Sequence, residues 1–408
     1  MKLFALQNIF SDLDSLKDCV SSNKFQKTLE IVEGAIPFFI AGLKDKIKKN
    51  LLIVCPDEEI TRKIHAEFKT IFESEFNTLL FQDKQLLPYE NIITDLSINT
   101  DTVSSLDYFI KMNERSDPFI TFSSISRLLA LTVPRQIFQE NILQITQGDH
   151  LKLTDLRIQL LNLGYELKSF VDIPGSFSVR GGILDVFSFD NENPCRFEFL
   201  GDKIENIRIF DSVNQRSIEK IFSVNIIPAH ETPGIFCESK EFKNKIDKLD
   251  FTNCHSIVKK KFDNWFSLLK EQNYETLSSF IDYFNSGIVF EYISSDTIVV
   301  MIQPDQIQKE MKELWAITSE RNNMLVESGE LPKYFPIPFV SPDIFNKALN
   351  KFSAISVNDW GDSNTNKQVE FGNIPHFNRD INGFIKYLKN EIPLSDIVII
   401  ATKYGKNL

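Results

Sequence analysis

The spacing of hydrophobic residues changes twice along this chain, and those two changes limit the fold more than any other feature. Over the first 133 residues, short apolar runs alternate with helical stripes. "LLIVCP" (51–56) and "PFITF" (118–122) read as buried strands, and further strands are expected at 28–32 and 78–82. A helix is expected from Pro37 to about Lys48. "DEEITRKIHAEFKTIF" sets Ile60, Ile64, Phe68 and Ile71 on one helical stripe behind Asp57 as cap, and Val103, Leu106 and Ile110 mark a third helix. Strands that alternate with helices predict a parallel sheet covered by helices. Near residue 134 the pattern breaks: after "NILQITQGD" and the short helix "TDLRIQLLNLGY", strands of period two joined by tight turns ("DNENP", "LGDK") run to about residue 210. Helical patterns then return around one more buried strand, "TIVVMI" (297–302). The helix after it carries Ile307, Met311, Leu314, Trp315 and Leu325, with Asp305 as cap.

The expected architecture is therefore an α/β parallel-sheet domain in two parts, 1–133 and 211–357, split by an inserted α+β domain with an antiparallel sheet at 134–210. The polar stretch 358–370 reads as a linker. Residues 371–408 read as the start of a further small α/β domain, with a helix at 378–390 and the strand "DIVIIAT". The helix to cover that strand has barely begun at Leu408, which suggests a piece of a longer protein.

Composition narrows the function. The net charge is −11 and no long basic run exists, so a free-standing nucleic-acid binder is disfavoured. The densest lysines, Lys44, Lys46, Lys48 and Lys49, suit the negative end of a helix. Five scattered cysteines (Cys19, Cys55, Cys195, Cys237, Cys254) without a C-x-x-C pair fit a reduced, cytoplasmic setting and give no metal cluster. The longest apolar run, 35–41, is too short to cross a bilayer, and no signal peptide is evident.

A phosphate loop would sit after the first strand, at "EGAIPFFIAGLK" (33–44). Gly34 is there, but the second glycine, the lysine and the Ser/Thr that would hold phosphate and magnesium are missing, and Phe38 and Phe39 take up the space. Gln303 and Pro304 stand at the end of "TIVVMI", where an acidic pair would hold the metal. His230 reads as an ordinary strand-end residue. No catalytic residue, metal site or cofactor site is expected.

The remaining feature is an arginine, Arg180, in the glycine turn of "GSFSVRGGILDVFSF" (175–189). Period two puts Arg196, Glu198 and Leu200 on one side of their strand and Cys195, Phe197 and Phe199 on the other. Gly181 and Gly182 leave Arg180 unshielded on the partner strand. The result is a patch of two arginines, one acid and one aliphatic group. By themselves these residues fit solvated surface charges better than a docking surface.

The block 174–217, "PGSFSVRGGILDVFSFDNENPCRFEFLGDKIENIRIFDSVNQRS", resembles the bacterial transcription-repair coupling factors. It is also similar, less closely, to the excision-repair protein UvrB. "LLPYENI" (86–92) and "IIPAHE" (226–231) match the coupling-factor pattern. The resemblance implies a UvrB-homology module: a helicase-like domain of the RecA/P-loop type that has lost its nucleotide site, with an inserted domain that binds UvrA. It implies that the ATP-driven translocase, and with it contacts to RNA polymerase and DNA, lie in parts of the family protein outside this chain. Carried over residue by residue, the resemblance assigns UvrA contact to Arg180 and Arg196 and places Leu200 where an aromatic is frequent; Glu198 shares their face. Arg208 and Arg216 are expected to pair with Asp211 or neighbouring acids. The implied function is non-catalytic recruitment of UvrA to stalled transcription. The alternative is a nucleotide-dependent DNA-binding domain of helicase type, which would need a Lys-Ser/Thr pair after Gly34.

Overall fold

The computed structural model describes residues 26–72, 75–83, 89, 96–113, 118–231, 234–270, 281–358 and 380–391. Strands β1 (Gln26–Glu30), β2 (Leu51–Cys55), β3 (Thr78–Phe81) and β4 (Ile120–Ser124) alternate with helices α1 (Ile36–Ile47), α2 (Glu58–Phe72) and α3 (Leu96–Asn113). All five residues of β2 are buried because both faces of the sheet are covered. Leu51, Ile53 and Cys55 enter one core with α1 and α2, whereas Leu52 and Val54 enter a second core with α3. Asp57 caps α2 as expected: its Oδ1 accepts the Ile60 N–H at 2.7 Å. The stripe itself is turned slightly, with Thr61, Ile64, Phe68 and Phe72 buried and Ile60 and Ile71 at its margin.

The insertion begins at β5 (Leu143–Thr146), followed by α4 (Leu153–Asn162) and β6 (Glu166–Leu167). A meander then runs through β7 (Ser176–Arg180), β8 (Ile183–Phe187), β9 (Cys195–Leu200), β10 (Lys203–Phe210) and β11 (Ser217–Ile221), and β12 (Ser223–Ile226) returns to pair with β5. β7 to β11 are antiparallel neighbours, with β6 added in parallel at one edge. The helical pattern expected from residue 211 therefore starts later: the sheet does not end at 210, and two more strands belong to it and to its small companion. Helix α4 lays Leu156 and Leu160 on the inner face, against Phe177, Leu184, Val186, Cys195, Phe197 and Ile207.

The segment "IIPAHE" fastens the insertion to the parallel domain. Ile226 and Ala229 lie in the core of the inserted domain, and Ile227 between them lies in the core that contains α3. The buried Tyr165 hydroxyl donates to the Ile227 carbonyl at 2.7 Å. From the other side, Lys111 on α3 pairs with Asp190 at 2.7 Å and Asp107 at 2.8 Å.

After the insertion come helices α5 (Lys240–Asp247) and α6 (Ser256–Lys270), strand β13 (Ile298–Ile302), α7 (Pro304–Glu327), α8 (Pro342–Leu349), β14 (Ser353–Asn358) and α9 (Ile381–Glu391). The two late strands complete the sheet begun before the insertion, giving the all-parallel order β1-β14-β13-β2-β4-β3. Asp305 is not the cap of α7. Gln303 holds that position with a left-handed φ of 56°, and Pro304 fills the first helical turn, so Asp305 falls inside the turn as a charge facing the dipole. Asn358, where the expected linker opens, instead closes β14; residues 359–370, the strand "DIVIIAT" and all of "LLPYENI" except Tyr89 lie outside the described residues.

Candidate functional site

Two places were singled out by the sequence, and both are built by strand ends or strand faces. The first is the C-terminal edge of the parallel sheet, where open α/β sheets bind ligands. β1 ends at Glu30, and the chain enters a 3-10 turn at Glu33–Ala35 and then α1, with Pro37 in its first turn. Ile31, Ala35, Ile36 and Phe39 are buried there in the core shared with α2, and Phe38 packs edge-on against Phe72 with ring centres 5.8 Å apart. Gly34 has no left-handed backbone and open space where a Cβ would stand. Among the described residues, no group of three or more His, Cys, Asp or Glu is placed to hold a metal ion.

The second place is the outward face of the inserted sheet. Cross-strand register puts Ser178, Asp185, Arg196 and Arg208 in one row and Arg180, Ile183, Glu198 and Asn206 in the next. The expected patch is thus brought together, but its members are held very differently. Arg196 has only 21% of its side chain exposed. Its Nε and Nη2 donate to the two oxygens of Asp185 at 2.7 and 2.8 Å, Nη2 also donates to Gln215 Oε1 at 3.2 Å, and the guanidinium lies 4.4 Å from the centre of the Phe210 ring. The hydrogen bond to Asp185 raises the Arg196 pKa above its ordinary value. Arg180, in contrast, is 54% exposed and reaches Asp185 Oδ2 through one Nη2 at 3.5 Å. Of the two guanidinium groups expected on this face, Arg196 is tied inward and Arg180 is half-exposed.

Glu198 is engaged within the sheet, accepting from Asn206 Nδ2 at 2.9 Å and pairing with Arg208 Nε at 3.3 Å. Arg208 is therefore structural as expected, with Glu198 rather than Asp211 as its partner. Asp211 instead accepts the backbone N–H groups of Val213 and Asn214 and shapes the turn before β11. The described hydrogen bonds of Arg216 in that turn are made by its backbone, whose N–H donates to Asn214 Oδ1 at 2.9 Å and whose carbonyl accepts the Asp211 N–H at 2.9 Å. Leu200 is 67% exposed at the end of β9, and Ile183, 38% exposed, lies across from Glu198.

Asp185 is the residue that the sequence reading missed. Its side chain is 1% exposed, flanked along β8 by the buried Leu184 and Val186. A signal was available: a hairpin centred between Asp190 and Asn191 sets residue 185 opposite residue 196. His230, read from the sequence as a strand-end residue, lies four residues beyond β12; its ring lies over Gly164, and burial lowers its pKa.

Comparison with known proteins bears on the inserted domain. Residues 143–231 match the UvrB interaction domain. The chain is 27% identical over 290 residues to the transcription-repair-coupling factor of Haemophilus influenzae, covering 69% of this chain and 24% of that protein. It is 23% identical over 344 residues to the Bacillus subtilis transcription-repair-coupling factor, covering 80% of this chain and 28% of that protein. The UvrABC system protein B of Fervidobacterium nodosum is 25% identical over 217 residues, 51% of this chain and 32% of that protein. The chain thus spans about a quarter of the length of these two coupling factors. By fold and matches together the chain is similar to a UvrB-homology module: the α/β domain is helicase-like, and the inserted part matches the UvrB interaction domain. Within that class, the similarity supports the N-terminal UvrB-homology module of transcription-repair-coupling factors.

Proposed function

We propose that this chain is a protein-recruitment module of nucleotide excision repair, which docks UvrA on the outward face of its inserted sheet and so links stalled transcription to repair. The observation that carries this reading is the half-exposed Arg180 directly across from the exposed Ile183, with the exposed Leu200 on β9 of the same sheet, inside the segment that matches the UvrB interaction domain. A guanidinium with open donors next to aliphatic side chains suits a partner that offers a carboxylate and an apolar neighbour. The module works without ATP. In support, the chain passes from β1 into a helix through a five-residue segment, 31–35, with no lysine or hydroxyl to meet phosphate. Strand β13 of the same sheet is followed by Gln303 and Pro304 instead of an acidic pair.

The test is calorimetric titration of UvrA with the 408-residue chain and its variants. Arg180→Ala is expected to weaken binding by at least about tenfold, since truncating one partner of a desolvated charge pair costs about 2–5 kcal/mol. Arg180→Ala with Leu200→Ala is expected to weaken it further, and unchanged affinity in that double variant refutes the site. Arg196 is unsuitable for this test because its removal would strip a buried carboxylate. A fluorescent ATP analogue is expected to show no saturable binding; clear saturation would favour the helicase-type alternative.

A further inference from the structure

The carboxylate of Asp185 lies beneath both arginines of the docking face, and nothing so far gives it a part in docking. We propose that Asp185 is the positioning residue of that face, locking Arg196 inward as a fixed floor and steering Arg180 so that its free edge meets a carboxylate on the partner. This rests on the docking reading above.

Four observations support it. The Arg196–Asp185 contact is a paired fork, Nε to Oδ1 at 2.7 Å and Nη2 to Oδ2 at 2.8 Å, which fixes the guanidinium plane as well as its position. That plane is held from two further directions, by the Phe210 ring at 4.4 Å and by Gln215 Oε1 at 3.2 Å. Gln215 is itself set, with a left-handed φ of 61° and its Nε2 donating to the Ser212 carbonyl at 2.9 Å. Arg196 therefore cannot swing to a partner without giving up three hydrogen bonds and a ring contact. Arg180, by contrast, touches the same carboxylate at one point 3.5 Å away, a tether loose enough to orient the side chain and leave most of its five N–H donors open.

Charge balance points the same way. Two guanidinium groups share one buried carboxylate, and Glu198 is already engaged by Asn206 and Arg208. One positive charge is left over, and it sits on the exposed arginine directly across from Ile183. Specificity for an acidic, partly apolar partner follows from the pair Asp185–Arg180, not from Arg180 alone.

A double-mutant cycle with UvrA tests this, using Asp185→Asn, Arg180→Ala and both together in the full chain. Asp185→Asn is expected to weaken binding about tenfold or more. Arg180→Ala is expected to cost at least about tenfold in the native background but less than about twofold once Asp185 is Asn, because an unsteered Arg180 contributes little. A merely structural Asp185 gives the same Arg180→Ala factor in both backgrounds, and that result overturns the proposal. Loss of any Arg180 effect in the native background is a different failure, that of the docking reading itself. Should Asp185→Asn not fold by circular dichroism, side-chain NMR of the native chain decides. The Arg196 Nε–H is expected to be protected from exchange with and without UvrA, and that of Arg180 only with UvrA. Equal protection of the two in the free chain overturns the assignment.

Discussion

Removing Arg196 should unfasten the inserted sheet. Asp185 is buried, and Arg196→Ala takes away the two short hydrogen bonds that compensate its charge. Hydrogen bonds to charged groups contribute about 1.5–3 kcal/mol each, and breaking one side of a buried pair costs about 3–5 kcal/mol. Two features move this site to the lower end. Arg196 keeps 21% of its side chain in water, and Arg180, 3.5 Å from the same carboxylate, can close in on it. The expected loss is about 3 kcal/mol, which is about a hundredfold in an opening equilibrium. Hydrogen exchange of the β8 and β9 amides, read by mass spectrometry, measures that opening directly, whereas tryptophan fluorescence does not, since Trp265, Trp315 and Trp360 all lie outside residues 143–231. Arg180→Ala, which breaks one long contact of an exposed side chain, should change the same amides by less than about fivefold, because exposed pairs contribute about 0–1 kcal/mol. Replacing both members, Asp185→Leu with Arg196→Met, should recover most of the protection, since no charge is then left unpaired. Equal effects of Arg196→Ala and Arg180→Ala, or a double apolar variant no better than Arg196→Ala, would refute the account of Asp185 as a buried anchor.

Three further outcomes follow from local geometry. Gly164→Ala should destabilise the insertion by about 1–3 kcal/mol in thermal unfolding, because its φ is +90° and a Cβ would collide with the His230 ring. Gly34→Ala, with open space and no left-handed backbone, should stay within about 0.5 kcal/mol of the native chain. Burial pushes the thiols of Cys55, Cys195 and Cys237 up to about 12, whereas Cys254 is partly exposed, so among these four Cys254 should react first with a thiol reagent in the folded chain. Peptide mapping checks this, and prompt labelling of Cys195 would contradict it. Burial and the nearby Lys69 lower the His65 pKa to about 4, beside the Phe122 ring at 5.1 Å. The neutral form is the one the fold favours, so its contribution is complete above the unfolded value near 6.5 and declines as the pH falls from there toward 4. Urea midpoints at pH 7 and pH 5 should therefore differ less in His65→Leu than in the native chain.

How far the sequence carried can be judged from particular strands. β2 was legible as a strand because an unbroken apolar run of five residues suits a sheet covered on both faces, and Leu51 to Cys55 do alternate between two cores. The placing of β13 and β14 between β1 and β2 was not legible, since periodicity says which face a residue takes and nothing about which strand lies beside it. The same limit explains Asp185. Alternation correctly put Arg196, Glu198 and Leu200 on one face, yet whether an arginine is free or held depends on the residue across the hairpin, and that is a matter of register. A carboxylate between Leu184 and Val186 in a strand was the available warning, because a buried acid needs a buried cation.

The segment "IIPAHE" shows why a signature can be specific without being readable from its spacing. Ile226 and Ala229 belong to the core of the insertion, Ile227 to the core of the parallel domain, and the His230 ring packs over Gly164 at the end of α4. The Ala229 N–H donates to the Leu163 carbonyl at 2.8 Å, and the Ile227 carbonyl accepts from Tyr165. Consecutive residues here serve two different packing partners, so neither period two nor period 3.6 describes them. Such a stretch is constrained at nearly every position, and that constraint fixes the angle at which the inserted sheet, and with it Arg180, is held out from the parallel domain.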